Sequence, residues 1–467
     1  MYSDKKTIMT FLLCIVASGL YAQKEVTLTL IPPAFVTNKV DLDIRIGIGN
    51  RKDKIRELKL SLYIDKENRQ SLLYDTVIKL QQNDVQEVKL VMPTKDKTGK
   101  HQIILVAKEG KKETRKKKNI EIIDSPVRSS RLLGGAWAGI YHWSEAEGKH
   151  WNNDLRQITD RQWKELIQAM HKVGMDIVVI QEVFRNEAYA GKHHISTGNY
   201  SGKAFYPSEL YPARMSIAAE DPVEAILSEA DKLDMNVLVG VGLFAWFDFG
   251  QESLEWHKQV ARDLWNKYGH HSSFYGFYVS EESGGSLDNW EKEEALRIVR
   301  KNEMVRFFRE FKAFCKRLAP AKPVMLATNS FDIPSGADTY PALLENLDIL
   351  CPFGFARMPE NDLTGEQAAI LLQELCDRAE AHLWMDLEAF LFNEDQSLYP
   401  RPAKEIIYDL NLFDNFEKIL CYQFPGVFNS PEMSVRIGEA RTLDLYNDYQ
   451  NYRTNVLKTT LKRQNKP

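Results

Sequence analysis

Two stretches of the chain place carboxylates where an apolar run ought to end in a turn. Residues 274–282 read FYGFYVSEE and residues 382–390 read HLWMDLEAF, so Glu281 and Glu282 close the first run while Asp386 and Glu388 punctuate the second. An unpaired carboxylate in an apolar interior is costly and tends to take up a proton. Two such groups facing each other across a pocket are the minimum equipment for breaking a glycosidic bond. One acid protonates the leaving oxygen; the other attacks the anomeric carbon or activates a water. The structural alternative is that each glutamate makes a hydrogen bond or ion pair at the root of a loop.

The elements around these residues decide whether they can meet. From about Leu132 onward an apolar strand and an amphipathic helix alternate. Strand candidates fall at 132–141, 175–184, 235–244, 274–282, 323–331, 347–355, 382–390 and 418–428, with helical stretches such as Asp160–Gly174, Asp221–Asp234 and Gly365–Ala381 between them. Asp160 and Asp221 stand where N-caps belong, and Gly174 just past a helix end. Eight such units are the count of an α/β fold of the (β/α)8 barrel type, expected over residues 131–455. An open doubly wound sheet is the alternative, and no strand is followed by its GxGxxG or P-loop turn.

In such a barrel, function gathers at the C-terminal ends of the strands. Strand alternation separates the glutamate pair: Tyr275, Phe277, Val279 and Glu281 share one face, and Gly276, Tyr278, Ser280 and Glu282 the other. The second set has the smaller, more polar residues of a barrel mouth, which points Glu282 at the pocket. By the same test Trp384, Asp386 and Glu388 face inward, as do Asp176, Val178, Ile180 and Glu182 on the second strand. Tyr141, Trp143, Trp246, Asn329 and Gln423 stand at or beyond other strand ends and, with Tyr278, Glu182, Glu281 and Asp386, complete the set expected to contact substrate. The rings of Trp143, Trp151, Trp246 and Phe247 could stack on sugar faces or pack in the core; Trp137 and Trp384 read as core. Gly240 and Gly242 would leave room inside the third strand.

A barrel with glutamates ending its fourth and seventh strands resembles the large clan of retaining glycoside hydrolases. The segments GFYVSEE and LWMDLEAF also resemble a closer group, the secreted glycoside-hydrolase-like barrels catalogued as domain of unknown function 4434. The resemblance covers about Leu132 to Tyr452 and implies a sugar substrate and no cofactor. It implies Glu282 as acid/base and Glu388 as nucleophile. One departure stands out: the clan usually has Asn directly before its acid/base, and this chain has Glu281 there. A carbohydrate-binding barrel without hydrolytic activity is therefore the rival expectation.

Other chemistry finds less support. His142, His193-His194 and His270-His271 lack the spacing of a metal-ligand motif, and no GxSxG elbow is present. Net charge is −4, which offers no general case for nucleic acid. The charge is uneven: residues 24–126 carry 22 Lys and Arg against 15 Asp and Glu, so the acidic excess lies in the barrel. Residues 24–126 read as about seven short alternating strands, an immunoglobulin-like β-sandwich acting as an accessory module. Its run KKETRKKK, Lys111–Lys118, reads as a solvated hairpin or edge strand guarded by charge.

Lys5 and Lys6 followed by the apolar run Ile8–Leu20 read as a secretory signal over residues 1–22. That predicts an exported, periplasmic or extracellular protein without stable membrane insertion. Cys14 follows Leu13 where a lipoprotein site wants a small residue. Cys315, Cys351, Cys376 and Cys421 lack paired spacing and read as buried thiols.

Overall fold

The computed structural model describes residues 26–50, 52–185, 195–211 and 213–464. The leader expected over residues 1–22 and the His193-His194 pair lie outside the described residues.

The front module is all β. One sheet orders Val26–Ile31, Leu42–Gly49 and Val85–Met92; the other orders Ala34–Thr37, Lys112–Ile123, Gly99–Glu109, Arg56–Ile64 and Leu72–Leu80. Alternating residues such as Leu42, Ile44, Ile46 and Leu58, Leu60, Leu62 turn inward and close the core between the sheets. The strand missed by the seven-strand reading is Ala34–Thr37, which pairs in parallel with Ile120–Ile123. Residues 112–119 therefore have a strand on one side only, and the basic run lies along this open edge. Its charges oppose pairing with another chain.

The barrel is closed and parallel. Its strands are β1 (Leu133–Ala138), β2 (Ile177–Ile180), β3 (Asn236–Gly240), β4 (Phe274–Ser283), β5 (Val324–Thr328), β6 (Ile349–Leu350), β7 (His382–Glu388) and β8 (Lys418–Tyr422). Each pairs with its sequence neighbour, and β8 closes on β1. Helices α1 (Asp160–Lys172), α2 (Pro222–Lys232), α3 (Gln251–Tyr268), α4 (Glu294–Leu318), α5 (Tyr340–Leu344), α6 (Gly365–Ala379), α7 (Ala403–Leu412) and α8 (Arg441–Gln464) fill the connections. Asp221 caps α2 as expected, its side chain accepting from Glu224 N at 3.0 Å. At α1 the cap is Thr159, in a capping box with Gln162, and Asp160 is already helical.

Two apolar layers result. Trp137, Ile177, Val179, Leu238, Tyr278, Met325, Ile349, Trp384 and Leu420 fill the barrel interior. Val178, Ile180, Phe277, Val279, Leu383, Met385 and Leu387 pack outward, where the helices cover the barrel. This corrects the expected phase of β2, whose inward residues are Ile177 and Val179. Its four residues are all apolar, so alternation carries no polar marker, and Asp176 and Glu182 misled as guides. Asp176 pairs with Lys418 at 3.3 Å, and Glu182 with Arg185. Tyr275 also turns into the barrel, because the β3–β4 register shifts between its neighbours Phe274 and Gly276.

The space at Gly240 is taken by backbone, not left for a ligand. A Cβ there would lie 2.3 Å from the carbonyl oxygens of Ile180 and Gln181. We expect Gly240→Ala to lower stability by about 1–3 kcal/mol through overpacking, read as a loss in the urea midpoint.

The sandwich closes the N-terminal end of the barrel. Ile31 enters the interior cluster, and the Tyr275 hydroxyl donates to Leu30 O at 2.8 Å. Arg45, on the sandwich, bonds Asp348 at the foot of β6 at 2.7 Å.

Candidate active site

A cavity of about 180 Å³ opens at the C-terminal end of the barrel, with Glu282 and Glu388 both in its wall. β4 and β7 deliver them, each glutamate being the last inward side chain before its strand gives way to loop. Trp137, Tyr278 and Tyr422 form aromatic wall, with Trp137 and Tyr278 edge to face at 5.8 Å. Beyond β7, a hairpin of Phe390–Phe392 and Leu398–Pro400 adds Phe390, Phe392 and Leu398. A larger cavity, about 520 Å³, lies between the sandwich and the barrel foot. The smaller cavity is the one with both glutamates in its wall.

The two glutamates sit in different surroundings. Burial pushes Glu282 up to about 7, helped by the negative charges of Glu147 and Glu388; Arg357 and the Trp246 indole N–H, which bonds the carboxylate, work against the rise. Burial also raises Glu388, opposed by the Arg357 guanidinium, whose Nε reaches its two oxygens at 2.8 and 3.1 Å. One carboxyl is thus poised to carry a proton near neutral pH, and the other is held beside a cation. Arg357 ends a short turn, Phe355–Arg357, that begins after Gly354 at φ +90°, a conformation that favours glycine.

Asp386 stands two residues below Glu388, and burial and then the charges of Glu388 and Glu282 push it well above the carboxylate range. It shares the cavity wall with both glutamates. Glu147, from the loop after β1, is a fourth acid, pushed up to about 7 by burial. Its carboxylate lies 3.1 Å from His142 Nε2, and His142 Nδ1 lies 3.3 Å from the Tyr422 hydroxyl. Burial, and then the charge of Arg185, push His142 down to about 3, so the ring is uncharged.

The structure sorts the expected contact residues. Trp143, Trp246, Tyr278 and Asp386 line the cavity with the two glutamates. Glu281 does not: it is fully buried on the opposite side of β4, accepting from Phe244 N at 2.7 Å. Alternation therefore separates the pair correctly. Glu182 is off the cavity wall, ion-paired to Arg185, and its place is taken by Gln181. Tyr141 packs in the outer layer, its hydroxyl bonded to Glu145 and Arg156. Asn329 turns back to accept from Phe331 N at 2.7 Å. Gln423 is buried and outside the wall.

Reading the strands alone passed over Glu147, Arg357 and the aromatic hairpin, all of which come from loops. A survey of the charged and aromatic residues in the loop after each strand would have reached them. His270 and His271 gather with Glu224, their ligand atoms within 4.8 Å of one another, away from the cavity wall. Both nitrogens of His271 are engaged, by Asp231 at 2.8 Å and Glu224 at 2.9 Å.

The chain is similar in fold to solved structures. A protein from Bacteroides thetaiotaomicron provisionally described as an alpha-L-fucosidase superposes with a TM-score of 0.51 at 17% identity, over 71% of this chain and 96% of its own. A Bacteroides uniformis beta-glucuronidase gives 0.43 at 12% identity, over 92% of this chain and 50% of its own. A beta-galacturonidase from Eisenbergiella tayi gives 0.39 at 9% identity, over 93% and 72%. The chain thus spans about half the length of the glucuronidase, and at these identities the likeness speaks for the fold. No curated protein matches the chain. Residues 135–435, most of the barrel, match the family described as domain of unknown function DUF4434, and the chain belongs to that family.

Proposed function

We propose that this protein is an exported glycoside hydrolase of the retaining type. The observation that carries the reading is the pair Glu282 and Glu388 in one cavity wall, the first raised to about 7 and the second bonded by Arg357. Protonated Glu282 gives its proton to the glycosidic oxygen as the bond to the anomeric carbon breaks. Glu388 forms the new bond to that carbon and is freed when water, deprotonated by Glu282, attacks the same carbon. The fold shared with glycosidases supports the reading, as does the family match. Export rests on Lys5, Lys6 and the apolar run Ile8–Leu20.

The binding-only reading is favoured by Glu281, which takes the place of the clan's Asn and turns away from the cavity. Calorimetry and product analysis on one glycan separate the two. Binding with no product on long incubation would leave only the binding barrel standing.

The pH profile follows from Glu282. The acid step needs it protonated, so we expect kcat/KM to fall about tenfold per pH unit above a break near 7. Because the charge of Glu147 helps hold Glu282 up, Glu147→Gln should move that break to lower pH. An unmoved break would contradict the coupling.

A further inference from the structure

Four aromatic rings run outward from the cavity in an unbroken row. Trp143 and Trp246, both in the cavity wall, have centroids 5.1 Å apart; Trp246 stacks on Phe247 at 4.6 Å; Phe247 meets Trp290 edge to face at 4.6 Å. Trp143 is 37% exposed and Trp290, at the far end, 49% exposed. Exposed rings joined by others into one apolar patch mark interaction sites.

The outer end of the row is built, not loosely draped. Phe247 and Trp290 both have left-handed backbone, at φ +67° and +57°, as do Leu287 and Asn289 beside them. Bulky side chains hold such angles only where surrounding bonds impose them, and these cluster at ligand clamps. Here the bonds are visible. Asn289 Nδ2 donates to Phe247 O at 2.8 Å, and Asp288 accepts from Trp290 N at 3.1 Å, from Ser286 at 2.7 Å and from Arg297 at 2.7 Å. Asp288 is itself buried.

We propose that this row carries a glycan chain away from the cavity, so that the substrate is a neutral oligosaccharide or polysaccharide rather than a small glycoside. The proposal rests on the glycoside reading of the cavity. Apolar faces of sugar rings lie flat on exposed aromatic rings, so Trp143 beside the carboxylates and Trp290 at the far end give two platforms, braced by the stacked pair Trp246 and Phe247 between them. The lack of a spare cation among the wall's described residues supplies the word neutral. Glu147, Glu282, Asp386 and Glu388 line it, and among its described residues Arg357 is the only Lys or Arg and is bonded to Glu388. A uronate would meet acids without an uncommitted cation.

The test is binding, with turnover suspended by Glu282→Gln in the full chain. Neutral gluco-, manno-, xylo- and galacto-hexasaccharides, with oligogalacturonate as the anionic probe, are titrated by calorimetry. At least one neutral hexasaccharide should bind, and oligogalacturonate should not. Adding Trp290→Ala should weaken that hexasaccharide about tenfold while its disaccharide binds as before. Trp290→Phe should restore most of the loss. No neutral binder, oligogalacturonate binding as tightly, or an indifferent Trp290→Ala would each overturn the proposal. The two proposals fail separately. Hexasaccharide binding without cleavage by the unsubstituted chain removes the hydrolase and keeps the row; cleavage with an indifferent Trp290→Ala does the reverse.

Discussion

Glu388→Gln is expected to abolish hydrolysis of any glycan the protein cleaves, and Glu282→Gln to lower kcat/KM by about 10²–10⁴-fold, with both variants folded. The larger effect belongs to Glu388, because a neutral amide cannot form the glycosyl bond at all. The loss at Glu282 is that of a positioned acid and base. Both side chains sit at a cavity rather than in packed core, so thermal melting should change little. Glu281→Gln is the informative neighbour. Its carboxyl is buried behind β4 and bonded to Phe244 N, so it should affect stability more than turnover. Assays of the three variants on one substrate check the assignment, and equal losses at Glu281 and Glu282 would contradict it.

The second large effect concerns the joint between the modules. Arg45→Met should destabilise the protein by about 3 kcal/mol, since removing one partner of a buried ion-pair cluster leaves Asp348 with Lys312 and Asp43 with His382 as their remaining buried partners. Arg45 bonds Asp348 at 2.7 Å and pairs with Asp43 at 2.8 Å, and all three side chains are at most 5% exposed. His382 joins from β7, lying 3.3 Å from Asp43 and 2.7 Å from Glu417. Burial alone would lower His382, but these carboxylates raise it to about 9. A raised histidine adds stability that is complete below its unfolded value near 6.5 and is lost as pH rises through about 9. Urea unfolding at pH 6 and pH 9.5 should show the decline, and His382→Gln should lessen it, leaving the share of His271, which Asp231 and Glu224 also raise to about 9. The joint ties the sandwich to the barrel foot, at the end opposite the cavity.

The sequence carried the barrel clearly because its signals are local and repeated. All eight strand candidates contain an observed strand, and β4 and β7 have mixed polar and apolar residues that fix which side faces in. β2 has none: Ile177–Ile180 is apolar on both faces, as a buried parallel strand must be, and its phase could not be read. The inward turn of Tyr275 depends on a register shift against β3, a fact of pairing rather than of composition. Glu147 and Arg357 reach the cavity from loops whose path depends on distant contacts. Leu398 N donates to Glu147 O at 2.9 Å, tying the loop after β1 to the hairpin after β7, residues about half the chain apart. Trp290 is similar, an exposed ring whose meaning appears only once Phe247 and Trp246 stand beside it.

The central claim is that Glu388 bonds covalently to the sugar while Glu282 moves the proton. The most direct measurement is to incubate the protein with a set of activated 2-deoxy-2-fluoroglycosides, which slow release of the glycosyl group, and to map the added mass by peptide analysis. The account predicts one glycosyl unit on the peptide carrying Glu388, absent from Glu388→Gln. A label on another residue, or a hydrolysed glycan whose first-formed sugar has inverted anomeric configuration, would contradict it.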